Sequence, residues 1–227
     1  MTQLLAVAAL GFFLGMRHAT DPDHIVAVTT IVARQRSIRA AAMTGAVWAL
    51  GHTLTIFVVG GAIILFGWVI PARVGLSMEL SVGLMLIVLG VLNLSGAWQS
   101  IRGSTAQPAA TESALGTSRV GRPLIVGVVH GLAGSAAIAL LVLTVIGPSS
   151  WSLVYLLIFG VGTIVGMVLV TATIGIPFAA AGGRATRLHR TLRIASGAIS
   201  LVFGLAIAYK IAVVGGLFGP TPEWTPH

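Results

Sequence analysis

The chain has 227 residues, of which 56% are hydrophobic and only 8% charged, and its mean hydropathy is +1.02. A soluble domain carries about 25% charged residues, so this composition excludes a water-soluble core and makes lipid the solvent. Cysteine is absent, which excludes disulfides, thiolate metal sites, iron–sulfur clusters and thiol catalysis. The net charge of +8 reads as loop charge placed by membrane topology, with no nucleic-acid partner implied.

Six apolar runs have spanning length, at 4–33, 40–70, 78–101, 124–146, 153–181 and 194–217. A spanning helix needs about 20 apolar residues, and the first, second and fifth runs exceed this, so tilting or a break is expected in them. The first run lacks a basic leader and a small-residue cleavage site, and reads as a retained helix. It is expected to break near Pro22, where ionisable groups also interrupt it.

Basic residues alternate from loop to loop. Arg34, Arg36 and Arg39 follow the first run, Arg102, Arg119 and Arg122 the third, and Arg184, Arg187, Arg190 and Arg193 the fifth. Ten of the thirteen Lys and Arg residues thus fall in alternate loops. The positive-inside rule places those loops in the cytoplasm and both termini outside, as expected for a multi-pass protein of a bacterial inner membrane.

Residues 104–120, rich in Ala, Ser, Thr and Pro, read as a flexible cytoplasmic linker. It separates a first three-helix half, 1–103, from a second, 121–227. With three spans each, the halves have opposite orientations. Each also opens with a His three residues after a Gly, in GMRHATDPDHIVAV at 15–28 and GVVHGLAGSAAIAL at 127–140. The expected fold class is therefore all-α, a polytopic membrane protein of about six transmembrane helices in two inverted three-helix repeats. Such folds bind their cargo at the interface of the repeats.

Arg17, His18, Asp21, Asp23 and His24 lie within eight residues of the first run. Each intramembrane charge costs about 2.5–3.5 kcal/mol on insertion scales, so these groups must pair, face a polar cavity or coordinate something. Arg17 and Asp21 have the i, i+4 spacing of an ion pair, leaving His18, Asp23 and His24 to converge on a ligand. On a regular helix those three point apart; unwinding at Pro22 would bring them together. Imidazole and carboxylate suit a divalent transition metal. A structural polar cluster and a water-filled proton path are the alternatives.

His52, in LGHTLT, and His130, in VHGLAGS, add two further intramembrane imidazoles. Asn93, Thr53, Thr55 and Ser135 are candidates to fix imidazole tautomers by hydrogen bonding. His189 and His227 lie in a basic loop and at the end of the chain and are expected to be solvated. The pairs Gly11/Gly15, Gly127/Gly131 and Gly162/Gly166 have small-xxx-small spacing and read as helix-packing positions.

Residues 17–25, RHATDPDHI, resemble the His–x4–Asp–His signature of the nickel/cobalt transporter family, and LGHTLT resembles its second motif. His130, with its glycine surroundings, resembles the short six-helix nickel permease branch of the urease-accessory type. The resemblance implies transport of a nickel or cobalt ion as substrate, with no permanently bound cofactor and no enzymatic activity. It implies a site of His18, Asp23 and His24, with His52 contributing. His130 joins this set, with Arg17, Asp21, Asn93, Thr53 and Ser135 in support. The linker contains no His, which favours uptake. An efflux permease and a proton-coupled exporter of a small solute are the alternative readings. A haem cytochrome and a membrane metallohydrolase fit less well, given the carboxylates beside the imidazoles and the lack of a Glu base within any span except Glu79 near a boundary. The bilayer and the metal ion are the expected partners; a homo-oligomer or a partner subunit is compatible with the sequence.

Overall fold

The computed structural model describes residues 2–33, 35, 37–67, 70–101, 120–146, 150–184 and 186–224, and side chains within them outside 2–7, 97–101, 135–146, 150, 181–184 and 186. Among the described residues every regular element is helical. The elements are α1 (Thr2–His18), α2 (Pro22–Val32), α3 (Ile38–Phe66), α4 (Ala72–Ile101), α5 (Gly121–Ile146), α6 (Ser150–Arg184) and α7 (Thr186–Tyr209), which runs into a π-helical turn, Lys210–Val214. Residues 102–119, nearly all of the linker together with Arg102, lie outside the described residues, as do Arg34, Arg36 and His227.

Among the described residues four stretches are long and apolar enough to cross a membrane: Ile38–Phe66, Ala72–Gly96, Trp151–Ala180 and Arg187–Val214. The chain is thus an all-helical membrane protein. The first apolar run is broken, as the polar interruption predicts, into α1 and α2. The second and fifth are not: α3 has 29 residues and α6 has 35. At about 1.5 Å per residue α6 is about 52 Å long, well beyond the ~30 Å hydrocarbon core, so it must tilt or project. Ser37 caps α3 by accepting from the Ala40 amide (3.1 Å), and Gly67 ends it in the left-handed conformation (φ 61°).

With lipid outside, nothing apolar drives helix against helix, and close approach depends on small residues. The main packing partners are α3 with α5, α4 with α7, α3 with α6, and α1 with α6. Gly15 of α1 lies against the Phe159 carbonyl and Thr163 amide nitrogen of α6. Gly127 of α5 lies in the same way against the Trp48 carbonyl and His52 amide nitrogen of α3. Gly83 and Gly90 of α4 meet Gly204 and Gly197 of α7 backbone to backbone. A Cβ at Gly15, Gly90, Gly127 or Gly204 would enter the facing backbone. The three glycine pairs singled out in the sequence are therefore packing positions.

Three apolar clusters are buried among the described residues, the smallest being Leu76, Ile211 and Leu217; the other two flank the site. One holds Val28, Trp48, Ala49 and Val126; the other holds Ile56, Tyr155, Leu156 and Phe159. The segment after the π turn folds back on the start of α4, where Trp224 Nε1 donates to Glu79 (2.8 Å) and Arg73 to the Gly219 carbonyl (3.2 Å). His189 is not simply solvated: its ring packs edge-on against Phe178, with centroids 6.4 Å apart.

Candidate metal centre

The site begins at the break. α1 closes with Thr20 Oγ1 donating to the Arg17 carbonyl (2.6 Å) and the Asp21 amide to the His18 carbonyl (3.1 Å). Asp21 is extended (φ −60°, ψ 144°), the conformation a following proline imposes. Pro22 then opens α2 at a position where its missing N–H breaks no bond. Three residues of turn between two helices move Asp23 and His24 off the helical path of His18, and the polar groups spread by a regular helix converge.

Asp21, expected to pair with Arg17, instead accepts from His18 Nδ1 at 2.7 Å. The i, i+4 spacing works only on a continuous helix, and the helix stops at residue 18, so Asp21 reaches back three residues to the imidazole. Among the described residues Arg17 and Asp21 form no ion pair, and the Arg17 side chain is exposed.

Asp23 joins α2 to α5. Its Oδ1 accepts from His24 Nδ1 (3.0 Å) and from the His24 backbone amide (2.9 Å), and its Oδ2 accepts from His130 Nε2 of α5 (3.1 Å). His52, entering on α3, has its Nε2 3.1 Å from His18 Nε2. The rings of His18 and His52 stack with centroids 5.2 Å apart, and those of His24 and His130 meet edge-on at 4.6 Å. His24, His52 and His130 are buried, whereas the Asp21 and Asp23 side chains are 46% and 31% exposed. Imidazoles form the floor of the site and carboxylates its open edge.

A neutral imidazole has one N–H and one lone pair. Where a carboxylate accepts from one ring nitrogen, the other carries the lone pair. Asp21 so exposes His18 Nε2, and Asp23 exposes His24 Nε2 and His130 Nδ1. His24 Nε2, His52 Nδ1 and His130 Nδ1 are buried with no hydrogen-bond partner among the described residues. Bare nitrogens in a dry interior are costly unless a ligand takes them, and carboxylate-oriented imidazoles are the usual donors of metal sites. Ligand atoms of His18, His24 and His52 lie within 4.8 Å of one another, as do those of Asp23, His24 and His130. The two triads share His24.

The expected hydroxyl and amide supports lie elsewhere. Thr55 donates to the Gly51 carbonyl of its own helix (2.9 Å), and Asn93 donates to the Thr30 carbonyl (2.9 Å) and Ser196 (3.3 Å), tying α4 to α2 and α7. The Thr53 methyl sits beside Gly160, and its hydroxyl makes no hydrogen bond among the described residues. The Ser135 side chain lies outside the described residues. Helical hydroxyls satisfy their own backbone more cheaply than a neighbour's ring, so the tautomers are held by carboxylates.

Two aromatic residues at the site were not singled out by sequence reasoning. The Trp48 ring lies 5.5 Å from that of His24 and 5.4 Å from that of His130, and Phe159 lies 5.6 Å from His18. The signal was present: Trp48–His52 (WALGH) and Phe159–Thr163 (FGVGT) align residue for residue, each with an aromatic three positions before a Gly.

Over 222 residues the chain is 36% identical to the urease accessory protein UreH of Bacillus sp. (strain TB-90), covering 95% of this chain and 96% of that one. It is also 27% identical over 224 residues to the chloroplast protein FOR GROWTH AND FERTILITY 2 of Arabidopsis thaliana, of whose length it spans 59%. No family model matches the chain. No solved structure matches it either.

Proposed function

Because the chain belongs to the family of the urease accessory protein UreH, we propose that it is a permease carrying a divalent transition-metal ion, nickel or cobalt, through the His/Asp site. The observation that carries this reading is the set of buried imidazole nitrogens left bare at the centre of a membrane bundle, with Asp21 and Asp23 holding their tautomers. His18, Asp23, His24, His52 and His130 are the proposed ligands, in two triads that share His24. Nickel fits the urease in the Bacillus relative's name and the nickel/cobalt resemblance of residues 17–25.

The proposed architecture is two inverted repeats of three spans, 1–103 and 121–227, joined by the 104–120 linker. The packing supports it residue by residue. Advancing 112 positions carries Gly15 to Gly127 and His18 to His130; advancing 111 carries Trp48 to Phe159 and His52 to Thr163. These shifts turn the α1–α6 crossing into the α5–α3 crossing, with the same glycine against the same backbone atoms. The crossing of α4 with α7 maps onto itself: advancing 114 positions carries Gly83 to Gly197 and Gly90 to Gly204, so the Gly83–Gly204 contact becomes the Gly90–Gly197 contact. The ligand site then lies where the repeats meet, as in other inverted-repeat carriers.

We place both termini outside and propose uptake. A doubly charged ion entering a cell gains about 4.6 kcal/mol at 100 mV, inside negative, so the potential alone can drive it inward. The test is nickel and cobalt accumulation in proteoliposomes by the wild type, His18→Ala and His24→Ala. Wild-type accumulation, with loss in His24→Ala, supports the reading. Accumulation unchanged in both variants would sink it. Movement against an inward-negative potential would indicate efflux, and no metal movement at all a solute exporter.

A further inference from the structure

We propose that Phe159 and Trp48 are paired access gates, related by the internal repeat, that close the ligand site from opposite faces of the membrane. The inference rests on the metal-permease reading for what the gates admit, and on the helix packing for where they stand.

The directions of the helices place the two rings. α1 and α6 run parallel, since Gly11 meets Tyr155, Gly15 meets Phe159, and Gly166 meets Met16 and Ala19. α3 runs against α6, since Gly45 meets Thr171 and Gly61 meets Leu153. Phe159 precedes the level of the site on α6 and so lies toward the face where α1 and α6 begin. Trp48 precedes His52 on α3, which runs the other way, and so lies toward the face where α3 begins.

Their surroundings agree with this. Phe159 touches only His18 among the site rings and sits in the apolar cluster with Ile56, Tyr155 and Leu156. Trp48 touches His24 and His130 and sits in the other cluster, with Val28 and Val126. Both rings are buried, Phe159 at 3% and Trp48 at 1% exposure. Each gate faces its own triad, and His24 belongs to both. An ion could thus pass from the Phe159 side to the Trp48 side through the shared ligand, with one plug closed while the other opens. Among the described residues Trp48 Nε1 is buried without a hydrogen-bond partner, an unmade bond that a swing of this ring toward water would satisfy.

The chain has no cysteine, so one introduced thiol reports on access without background. His52→Cys puts that thiol at the centre of the site. In reconstituted vesicles of known orientation, a membrane-impermeant cationic methanethiosulfonate should modify His52→Cys slowly from both faces. Adding Phe159→Ala should speed modification at least about tenfold from the α1-start face only, and adding Trp48→Ala should do so from the α3-start face only. Phe159→Leu and Trp48→Phe, which keep an apolar plug, should leave the thiol protected and control for misfolding. Acceleration from both faces, from the wrong face or from neither in the Ala variants would overturn the proposal. So would acceleration in the conservative pair. The readout needs no metal: if the wild type fails to accumulate nickel or cobalt, the permease reading falls while the sided pattern still decides the gates.

Discussion

The two halves of the molecule share their helix crossings but not their chemistry. In the first half the opening span is broken, and Pro22 sets Asp23 and His24 beside His18; in the second, α5 runs unbroken through His130, with no proline or acid nearby. The first half also carries His52 where the second has Thr163. Four of the five proposed ligands therefore come from residues 1–103, and residues 121–227 supply His130 and the Phe159 ring. Glycine contacts depend on backbone shape, which both halves keep. Ligation depends on where the chain leaves the helix, and one half alone has that break.

The sharpest test of this asymmetry is His24→Ala. As the residue common to both triads, His24 should, on removal, cost more nickel affinity than the loss of any other ligand, read by calorimetric titration of purified protein. His18→Ala and His130→Ala each spare one triad and should bind more tightly than His24→Ala; equal losses in all three would mean a single undivided site. Asp21→Ala removes the group orienting His18 and should weaken nickel binding by about 10–100-fold, the usual cost of losing a ligand's orienting partner.

Gly15→Ala and Gly127→Ala test the shared scaffold. Each puts a methyl into the facing backbone, and each should destabilise by about 1–3 kcal/mol, read as matched drops in melting temperature in detergent. A large loss at one with none at the other would break the equivalence of the two crossings. The smallest effect is expected at Thr55→Val, because that hydroxyl serves only the Gly51 carbonyl; nickel affinity should stay at the wild-type value.

Much of this was legible in the chain itself. Lipid as solvent, four of the spans, the broken first run, the glycine packing positions and the anomalous density of His and Asp follow from composition, hydropathy and local spacing. These properties act over one turn of helix or one bilayer width. The partners within the site were not legible. Asp21 serves His18 rather than Arg17, because the break cancels helical spacing. His18 meets His52 across 34 residues and Asp23 meets His130 across 107. Asn93 and Thr55 are drawn away to backbone carbonyls. The two aromatic rings gained meaning only once the helix directions placed them on opposite sides of the imidazoles. The sequence by itself determined that polar ligands sit in an apolar span and where that span must bend. Which nitrogens are left bare, and what closes over them, was decided by the crossings of α1 with α6 and of α3 with α5. Those contacts join residues far apart in the chain, where local pattern carries no information.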